Sequence, residues 1–191
     1  MNSIKTKLWL TIAVLTSLSG TFVFPVWAST SLCIEEEEDS CYGTTDDDVI
    51  IGSVFIDEIF ATAGDDGVYA YEGKDRINGD EGNDFIHAGP GQDVVDAGSE
   101  DDTLLGDEGH DWLEGNLGDD LVLGGQGNDM VSGSRGDDSL VGDEGDDYLY
   151  GGPGGDQFWC NGGVDTIHDF NPAEGDKIMV EFDCEIINQA S

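Results

Sequence analysis

The stretch Gly124-Gly125-Gln126-Gly127-Asn128-Asp129-Met130-Val131-Ser132 is the clearest copy of a nine-residue unit that decides the fold. The unit has a small residue at position 1, usually Gly at position 4, Asp at position 6 and a large apolar residue at position 8. Fourteen copies follow one another without insertion or deletion from Gly43 to His168. A fixed period of this kind is typical of repeat architectures in which neighbouring units stack.

Position 6 is Asp in every copy, and position 8 is always apolar, from Ile50 in the first copy to Ile167 in the last. Position 4 is Gly in eleven of the fourteen copies, with Asp46, Phe55 and Glu100 as the exceptions. Two of these exceptions fall in the first two copies, so the N-terminal edge of the array is degenerate. The position 6 residues are Asp48, Asp57, Asp66, Asp75, Asp84, Asp93, Asp102, Asp111, Asp120, Asp129, Asp138, Asp147, Asp156 and Asp165.

The unit resembles the GGxGxDxUx nonapeptide of the haemolysin-type, or RTX, calcium-binding family, a sequence signature of the parallel β-helix. The resemblance covers the fourteen copies and extends to Asp165-Thr166-Ile167-His168-Asp169-Phe170, which is similar to the terminal cap of such arrays. It implies an all-β chain that forms a right-handed parallel β-roll, or β-solenoid, of about seven coils. Each repeat then consists of a six-residue turn and a three-residue strand, and two repeats make one coil.

The turns are candidate calcium sites, because carboxylate and backbone carbonyl oxygens are the ligands that calcium prefers. In the resembling family the ion lies between turns one coil apart, so the resemblance carries the metal-ligand role to the fourteen Asp given above. An EF-hand is excluded, since its loop has twelve residues between helices. A single Asp of this kind would be an ordinary solvated turn residue, but fourteen in phase favour metal binding.

The number of calcium ions follows from the stacking. Odd and even repeats lie on opposite sides, so seven turns in each column leave at most twelve gaps between turns. Asp46, Phe55 and Glu100 disturb four of these gaps, and we expect about eight well-formed calcium sites. Acidic residues at other positions of the unit show no strict phase and are expected to be solvent-facing charge, namely Asp107, Glu108, Asp137, Asp143, Glu144 and Asp146.

The segments outside the repeats divide the chain into four parts. Residues 1–28 have a basic start, an apolar core and a small residue at Ala28, which predicts a signal peptide that is cleaved there. An uncleaved membrane anchor is the alternative, although the apolar core is shorter than a membrane span. Residues 29–42 form an acidic lead-in, residues 43–168 the β-roll, and residues 169–191 a capping segment with a last strand from Lys177 to Phe182.

The composition restricts the partners. The chain has 43 acidic and 6 basic residues, for a formal net charge of −37. Charge of this sign excludes nucleic acid and, after cleavage of the signal, an anionic membrane as direct partners. High charge together with 29 Gly is also found in disordered chains. The regular apolar position 8 argues against disorder, because a disordered chain needs no buried stripe in register.

Four cysteines in an exported chain suggest two disulfides, for which three pairings are possible. We favour the local pairs Cys33 with Cys41 and Cys160 with Cys184, the second of which would tie the last strand to the end of the stack. A cysteine-based metal site is disfavoured, because the sequence has no CxxC motif and the three His are not spaced with the cysteines.

The sequence therefore predicts an exported protein that folds on binding several calcium ions and acts as a structural or interaction module. It would reside outside the cell, at the cell surface or in the periplasm. No catalytic motif is apparent, so we do not expect an enzyme. The alternative is a fragment or accessory chain of an RTX-type secreted enzyme or toxin, with catalysis elsewhere.

A possible surface for self-association or for a protein partner lies on the odd repeats. Positions 7 and 9 of their strands, Leu121 and Leu123 among them, carry no Asp, Glu, Lys or Arg. The corresponding positions of the even repeats include Glu58, Arg76 and Glu114.

Overall fold

The computed structural model describes residues 29–32, 40–180 and 184–186. The described residues form eighteen β-strands and no helix, and every strand pairing is parallel. Two sheets of nine strands face each other, and successive strands of the chain alternate between them. The chain therefore winds as a β-solenoid, which confirms the predicted parallel β-roll.

The odd-numbered strands form one sheet, which we call the odd sheet. It contains β1 (Ser29–Leu32), β3 (Asp48–Ile51), β5 (Gly67–Tyr69), β7 (Phe85–His87), β9 (Thr103–Gly109), β11 (Leu121–Gly127), β13 (Ser139–Glu144), β15 (Gln157–Trp159) and β17 (Lys177–Val180). The even-numbered strands form the even sheet. It contains β2 (Ser40–Tyr42), β4 (Glu58–Ala63), β6 (Arg76–Glu81), β8 (Val94–Ser99), β10 (Trp112–Leu117), β12 (Met130–Arg135), β14 (Tyr148–Tyr150), β16 (Asp165–Ile167) and β18 (Cys184–Ile186).

The register between neighbouring strands of the repeats is eighteen residues, or two repeats. Val122 pairs with Leu104 on one side and with Leu140 on the other, and Val131 pairs with Leu113 and Leu149. Repeats 1, 3, 5 and onward supply the odd sheet, and repeats 2, 4, 6 and onward supply the even sheet. The prediction that odd and even repeats lie on opposite sides is therefore confirmed.

The core is a column of position 8 side chains from both sheets. All fourteen are buried: Ile50, Ile59, Val68, Ile77, Ile86, Val95, Leu104, Leu113, Val122, Val131, Leu140, Leu149, Phe158 and Ile167. Alanine at position 1 adds to this core in four repeats, as at Ala88. Strand residues alternate between the two faces of a sheet, so positions 7 and 9 point outward on either side of the buried position 8.

The sheets continue beyond the repeats at both ends. Strands β1 and β2 of the lead-in pair with β3 and β4, so this segment adds a strand to each sheet, which the sequence did not predict. At the other end, β17 confirms the predicted last strand from Lys177, whose described part ends at Val180. It pairs with β15, and β18 pairs with β16.

A disulfide joins Cys160 to Cys184 with a Cα–Cα distance of 5.6 Å. This pair was predicted, and it ties β18 to the last repeat. Cys41 is also disulfide-bonded, and Cys33, its predicted partner, lies outside the described residues. Phe170 of the predicted terminal cap packs against Phe158 at a ring distance of 6.3 Å.

The predicted signal peptide, residues 1–28, lies outside the described residues as well. Residues 29–32, 40–180 and 184–186 contain no helix that is long and apolar enough to span a membrane.

Candidate metal centre

The position 6 carboxylates are turned into the protein by the same alternation that buries position 8. Positions 5, 7 and 9 face outward, and positions 6 and 8 face inward. All fourteen predicted ligands are accordingly buried, with side chains between 0 and 5 % exposed. A buried carboxylate is costly unless hydrogen bonds or a cation compensate its charge, so the partners of each oxygen decide what these residues do.

From Asp66 to Asp165, one oxygen of each position 6 carboxylate, Oδ1, joins consecutive coils. The backbone N–H of Asp111 donates to Oδ1 of Asp129 at 2.9 Å, and the N–H of Asp129 donates to Oδ1 of Asp147 at 2.8 Å. The same bond recurs at eighteen-residue spacing along both columns of turns, from Asp48 N–H to Asp66 and from Asp147 N–H to Asp165. These bonds hold the carboxylates in two straight columns, one on each side of the solenoid.

The second oxygen, Oδ2, divides the repeats into two groups. In the first two repeats it accepts a local backbone N–H, from Thr44 to Asp48 and from Ser53 to Asp57. In repeats 3 to 13 this oxygen is buried and has no hydrogen-bond partner. The residues of this second group are Asp66, Asp75, Asp84, Asp93, Asp102, Asp111, Asp120, Asp129, Asp138, Asp147 and Asp156.

The pKa values reflect this lack of compensation. Burial raises the pKa of Asp102 from 3.8 to about 8, and those of Asp66 and Asp138 to about 7, against the lowering effect of the backbone N–H bond. Neighbouring carboxylates raise these pKa values further. A cation bound at these oxygens would oppose both effects and keep the carboxylates ionised at neutral pH.

Glycine at position 4 lets the turns approach closely enough for this arrangement. Gly127 has a φ of +141°, and a Cβ at this position would lie 1.5 Å from the carbonyl oxygen of Gly109 in the preceding coil. Glu100 takes the position of Gly in repeat 7 and adopts a φ of +78°. Oδ2 of Asp102 in the same turn has no partner either. Glu100 therefore preserves the turn, and the expected loss of two calcium sites around it stays a prediction.

A further carboxylate, Asp176, ends the odd column and was missed in the sequence. Its Oδ1 accepts the N–H of Asp156 at 3.0 Å, as a position 6 Asp of the next coil would, and its Oδ2 accepts the N–H of Asn171 at 2.6 Å. Asp176 lies twenty residues after Asp156 rather than eighteen, so it falls outside the nine-residue frame. Asp169 caps the neighbouring turn and accepts the N–H groups of Gly151 and Gly152.

The acidic residues at position 5 also have an order that the sequence analysis did not recognise. Asp119 accepts the N–H of Asp137 at 2.8 Å, and Asp101 accepts that of Asp119 at 2.9 Å. Asp146 likewise accepts the N–H of Val164 at 2.9 Å. Asp137 and Asp146 are exposed as expected. Each nevertheless accepts a backbone N–H from the next coil, so these carboxylates do follow the repeat.

The residues present fit a calcium ion. No group of three or more His, Cys, Asp or Glu side chains that could hold a metal converges anywhere in the described part of the chain. The turns offer buried carboxylate oxygens and backbone carbonyl oxygens, an all-oxygen set that suits calcium. The buried oxygens without partners are the observation that indicates such a ligand.

Comparison with known proteins identifies the repeats. The family model described as RTX calcium-binding nonapeptide repeat matches residues 42–76, 69–104, 96–131, 123–158 and 132–167. No curated protein matches the chain. The matches run over the whole repeat region and cover more than half of the sequence. Two columns of buried Asp in glycine-rich turns agree with that description, and the chain belongs to the RTX calcium-binding nonapeptide-repeat family.

Proposed function

We propose that this chain is an exported protein whose β-roll forms when calcium binds between its turns, and that the ordered roll acts as a structural or interaction module. The buried Oδ2 atoms of repeats 3 to 13 carry this proposal. An unpartnered buried carboxylate oxygen destabilises a fold, and eleven of them in phase require a common compensating ligand.

The proposed ligands are the twelve position 6 residues from Asp66 to Asp165. Asp165 is included because it is buried in the same column and its Oδ1 makes the same bond to the preceding coil. Asp48 and Asp57 are left out, because Oδ2 of each already accepts a backbone N–H from its own turn. About ten gaps between stacked turns then remain. Calcium would supply the positive charge that these carboxylates lack, and the turns would supply the oxygens.

Without the charge of bound calcium, burial of apolar side chains is the main contribution that stabilises the fold, and it is small. Each nine-residue repeat buries one large apolar side chain. Ordering a residue costs on the order of 1 kcal/mol, and burial of such a side chain contributes roughly 1.5 to 3 kcal/mol. The repeats therefore depend on ligand binding, as other small metal-folded domains do.

The test is a calcium titration followed by far-UV circular dichroism. The chain is expected to lack β-structure in calcium-free buffer and to gain it at millimolar calcium, the range of extracellular calcium modules. Magnesium should substitute poorly, because it demands a smaller octahedral shell. An equally folded chain without calcium would refute the proposal.

Export is supported by the Cys160–Cys184 disulfide, because disulfides persist in oxidising compartments. It is also supported by the sequence of residues 1–28. The mature protein isolated from its natural host is expected to begin at Ser29. A chain that keeps its first 28 residues would contradict cleavage, and a chain that stays in the cytoplasm would contradict export.

A further inference from the structure

A group of large apolar side chains is exposed on the outer face of the even sheet. Trp112, Met130 and Tyr148 are 50, 48 and 59 % exposed, and Tyr150 is 43 % exposed. Trp112 pairs with Met130 and Met130 with Tyr148, so the three occupy consecutive strands. Tyr150 lies two residues after Tyr148 and therefore on the same face. We call these four residues the aromatic patch.

The large apolar side chains of the odd sheet, the binding face that the sequence suggests, are less exposed than those of the aromatic patch. Leu121, Tyr69 and Phe85 are 40, 38 and 37 % exposed, and they lie on strands that are not all adjacent. Leu105 and Leu123 are half-buried by their neighbours. The strongest candidate for a binding surface therefore lies on the even sheet, although the strands of that sheet carry more charged residues.

Carboxylates surround the aromatic patch. Glu114 lies on the same strand and face as Trp112, two residues away, and Asp96 is its register partner on β8. Asp146 lies two residues before Tyr148, exposed, and is fixed by the bond from Val164 N–H. An aromatic face beside carboxylates attracts cations, because the ring quadrupole and the negative charge act in the same direction. Tryptophan, tyrosine and methionine are also enriched in protein interfaces.

The charge of the whole chain selects the occupant. A second copy would bring another −37 charges to the interface. Even the full set of calcium ions considered above would neutralise only part of this charge, so self-association is opposed. A basic partner is attracted over the same surface and gains in association rate as well.

We propose that the aromatic patch is a docking surface for a basic protein segment in which Arg or Lys alternates with apolar residues. The basic side chains contact the rings of Trp112 and Tyr148 and the neighbouring carboxylates, and the apolar side chains cover Met130. This inference rests on the proposed calcium-dependent fold, because the four residues lie on one face only when the coils are stacked.

The test uses a fluorescently labelled peptide of alternating arginine and leucine, nine residues long, and its counterpart with serine in place of leucine. Binding in saturating calcium is measured by fluorescence anisotropy. The protein variants are Trp112→Ser with Tyr148→Ser on the aromatic patch, and Phe85→Ser with Leu121→Ser as the matched control. Both pairs remove two exposed apolar side chains from position 7 of their strands.

The patch variant is expected to bind the arginine–leucine peptide on the order of tenfold more weakly than the wild type, and the control less than about twofold. The arginine–serine peptide should bind more weakly than the arginine–leucine peptide and respond little to either variant. Equal binding of the two peptides, or equal effects of the two variants, would overturn the proposal. A calcium-dependent dimer in light scattering that the patch variant disperses would overturn it in favour of a second copy.

Circular dichroism of the same samples separates this proposal from the preceding one. If the wild type does not fold in calcium, the proposed function fails. If wild type and variants fold in calcium and the peptide does not distinguish them, only the docking proposal fails.

Discussion

The ends and the middle of the solenoid use the same buried Asp in different ways. At the N-terminal end, Oδ2 of Asp48 and of Asp57 accepts a backbone N–H, and at the C-terminal end Oδ2 of Asp176 does the same. Between them, from Asp66 to Asp156, this oxygen is buried without a partner. The second oxygens of Asp48, Asp57 and Asp176 are therefore satisfied by protein groups alone, whereas those in the middle leave a position for an added ligand. In this protein, the partner of Oδ2 distinguishes a buried Asp that closes its own turn from one that is available to a ligand.

The largest difference is expected between paired substitutions in the middle and at the end. Asp129→Asn with Asp147→Asn removes two adjacent negative charges while each side chain keeps an oxygen that can accept the N–H from the preceding coil. The calcium midpoint of folding should rise on the order of tenfold, since each ion lost from a site weakens the coupled fold.

Asp48→Asn with Asp57→Asn is the control for this experiment. These carboxylates already bond to backbone N–H groups, so the calcium midpoint should move by less than about threefold through loss of about 1 kcal/mol of hydrogen bonding. Equal shifts from the two pairs, measured by circular dichroism, would remove the distinction between middle and end.

Protonation of the buried carboxylates in the middle of the solenoid should partly replace calcium in stabilising the fold. Burial raises the pKa of Asp102 to about 8 and that of Asp147 to about 7, well above the usual 3.8. A carboxyl with a higher pKa in the folded state stabilises the fold below its unfolded pKa, and this contribution is lost as the pH rises through the folded value.

The calcium-free chain is therefore expected to gain β-structure when the pH falls from about 8 to about 5, a window that follows from these raised pKa values. The calcium midpoint should rise over the same range, because protons and calcium compete for the same oxygens. Far-UV circular dichroism at each pH provides both measurements. A calcium midpoint independent of pH would show that these carboxylates are not the ligands.

The smallest of these effects concerns the close approach of the turns in the middle. Gly127→Ala places a side chain against the carbonyl oxygen of Gly109 and in a left-handed conformation, so it should destabilise the calcium-loaded fold by at least about 1 kcal/mol. Gly67→Ala is the control, because the nearest atom to its added Cβ is 3.8 Å away, an ordinary contact, and its φ is not left-handed. Its effect in urea unfolding should stay within about 0.5 kcal/mol. Similar losses from both variants would argue against tight stacking at position 4.

Much of the fold could be predicted from the sequence because the period is strict. An apolar residue at position 8 and Asp at position 6 of every nine-residue repeat determine which side chains face inward, and Val131 and Asp129 lie where this pattern places them. The Cys160–Cys184 disulfide is the local pair that the sequence favours among three possible pairings, and the structure contains it.

The differences between repeats could not be predicted in the same way. The bonds from Thr44 and Ser53 to their own Asp depend on backbone N–H groups, which every residue except proline carries and which leave no mark in the sequence. Asp176 lies two residues out of phase, so a fixed period passes over it. The aromatic patch is not evident from the charges along the strands, because the exposure of each side chain depends on its neighbours in the sheet.

Calcium-dependent folding is tested most directly by the number of calcium ions bound per folded chain, determined by equilibrium dialysis at saturating calcium. About ten ions are expected for the wild type, fewer for Asp129→Asn, and an unchanged number for Asp48→Asn. A wild type that is folded with fewer than about three bound ions would contradict calcium-dependent folding, because most of the buried carboxylates in the middle of the solenoid would then be stable without calcium.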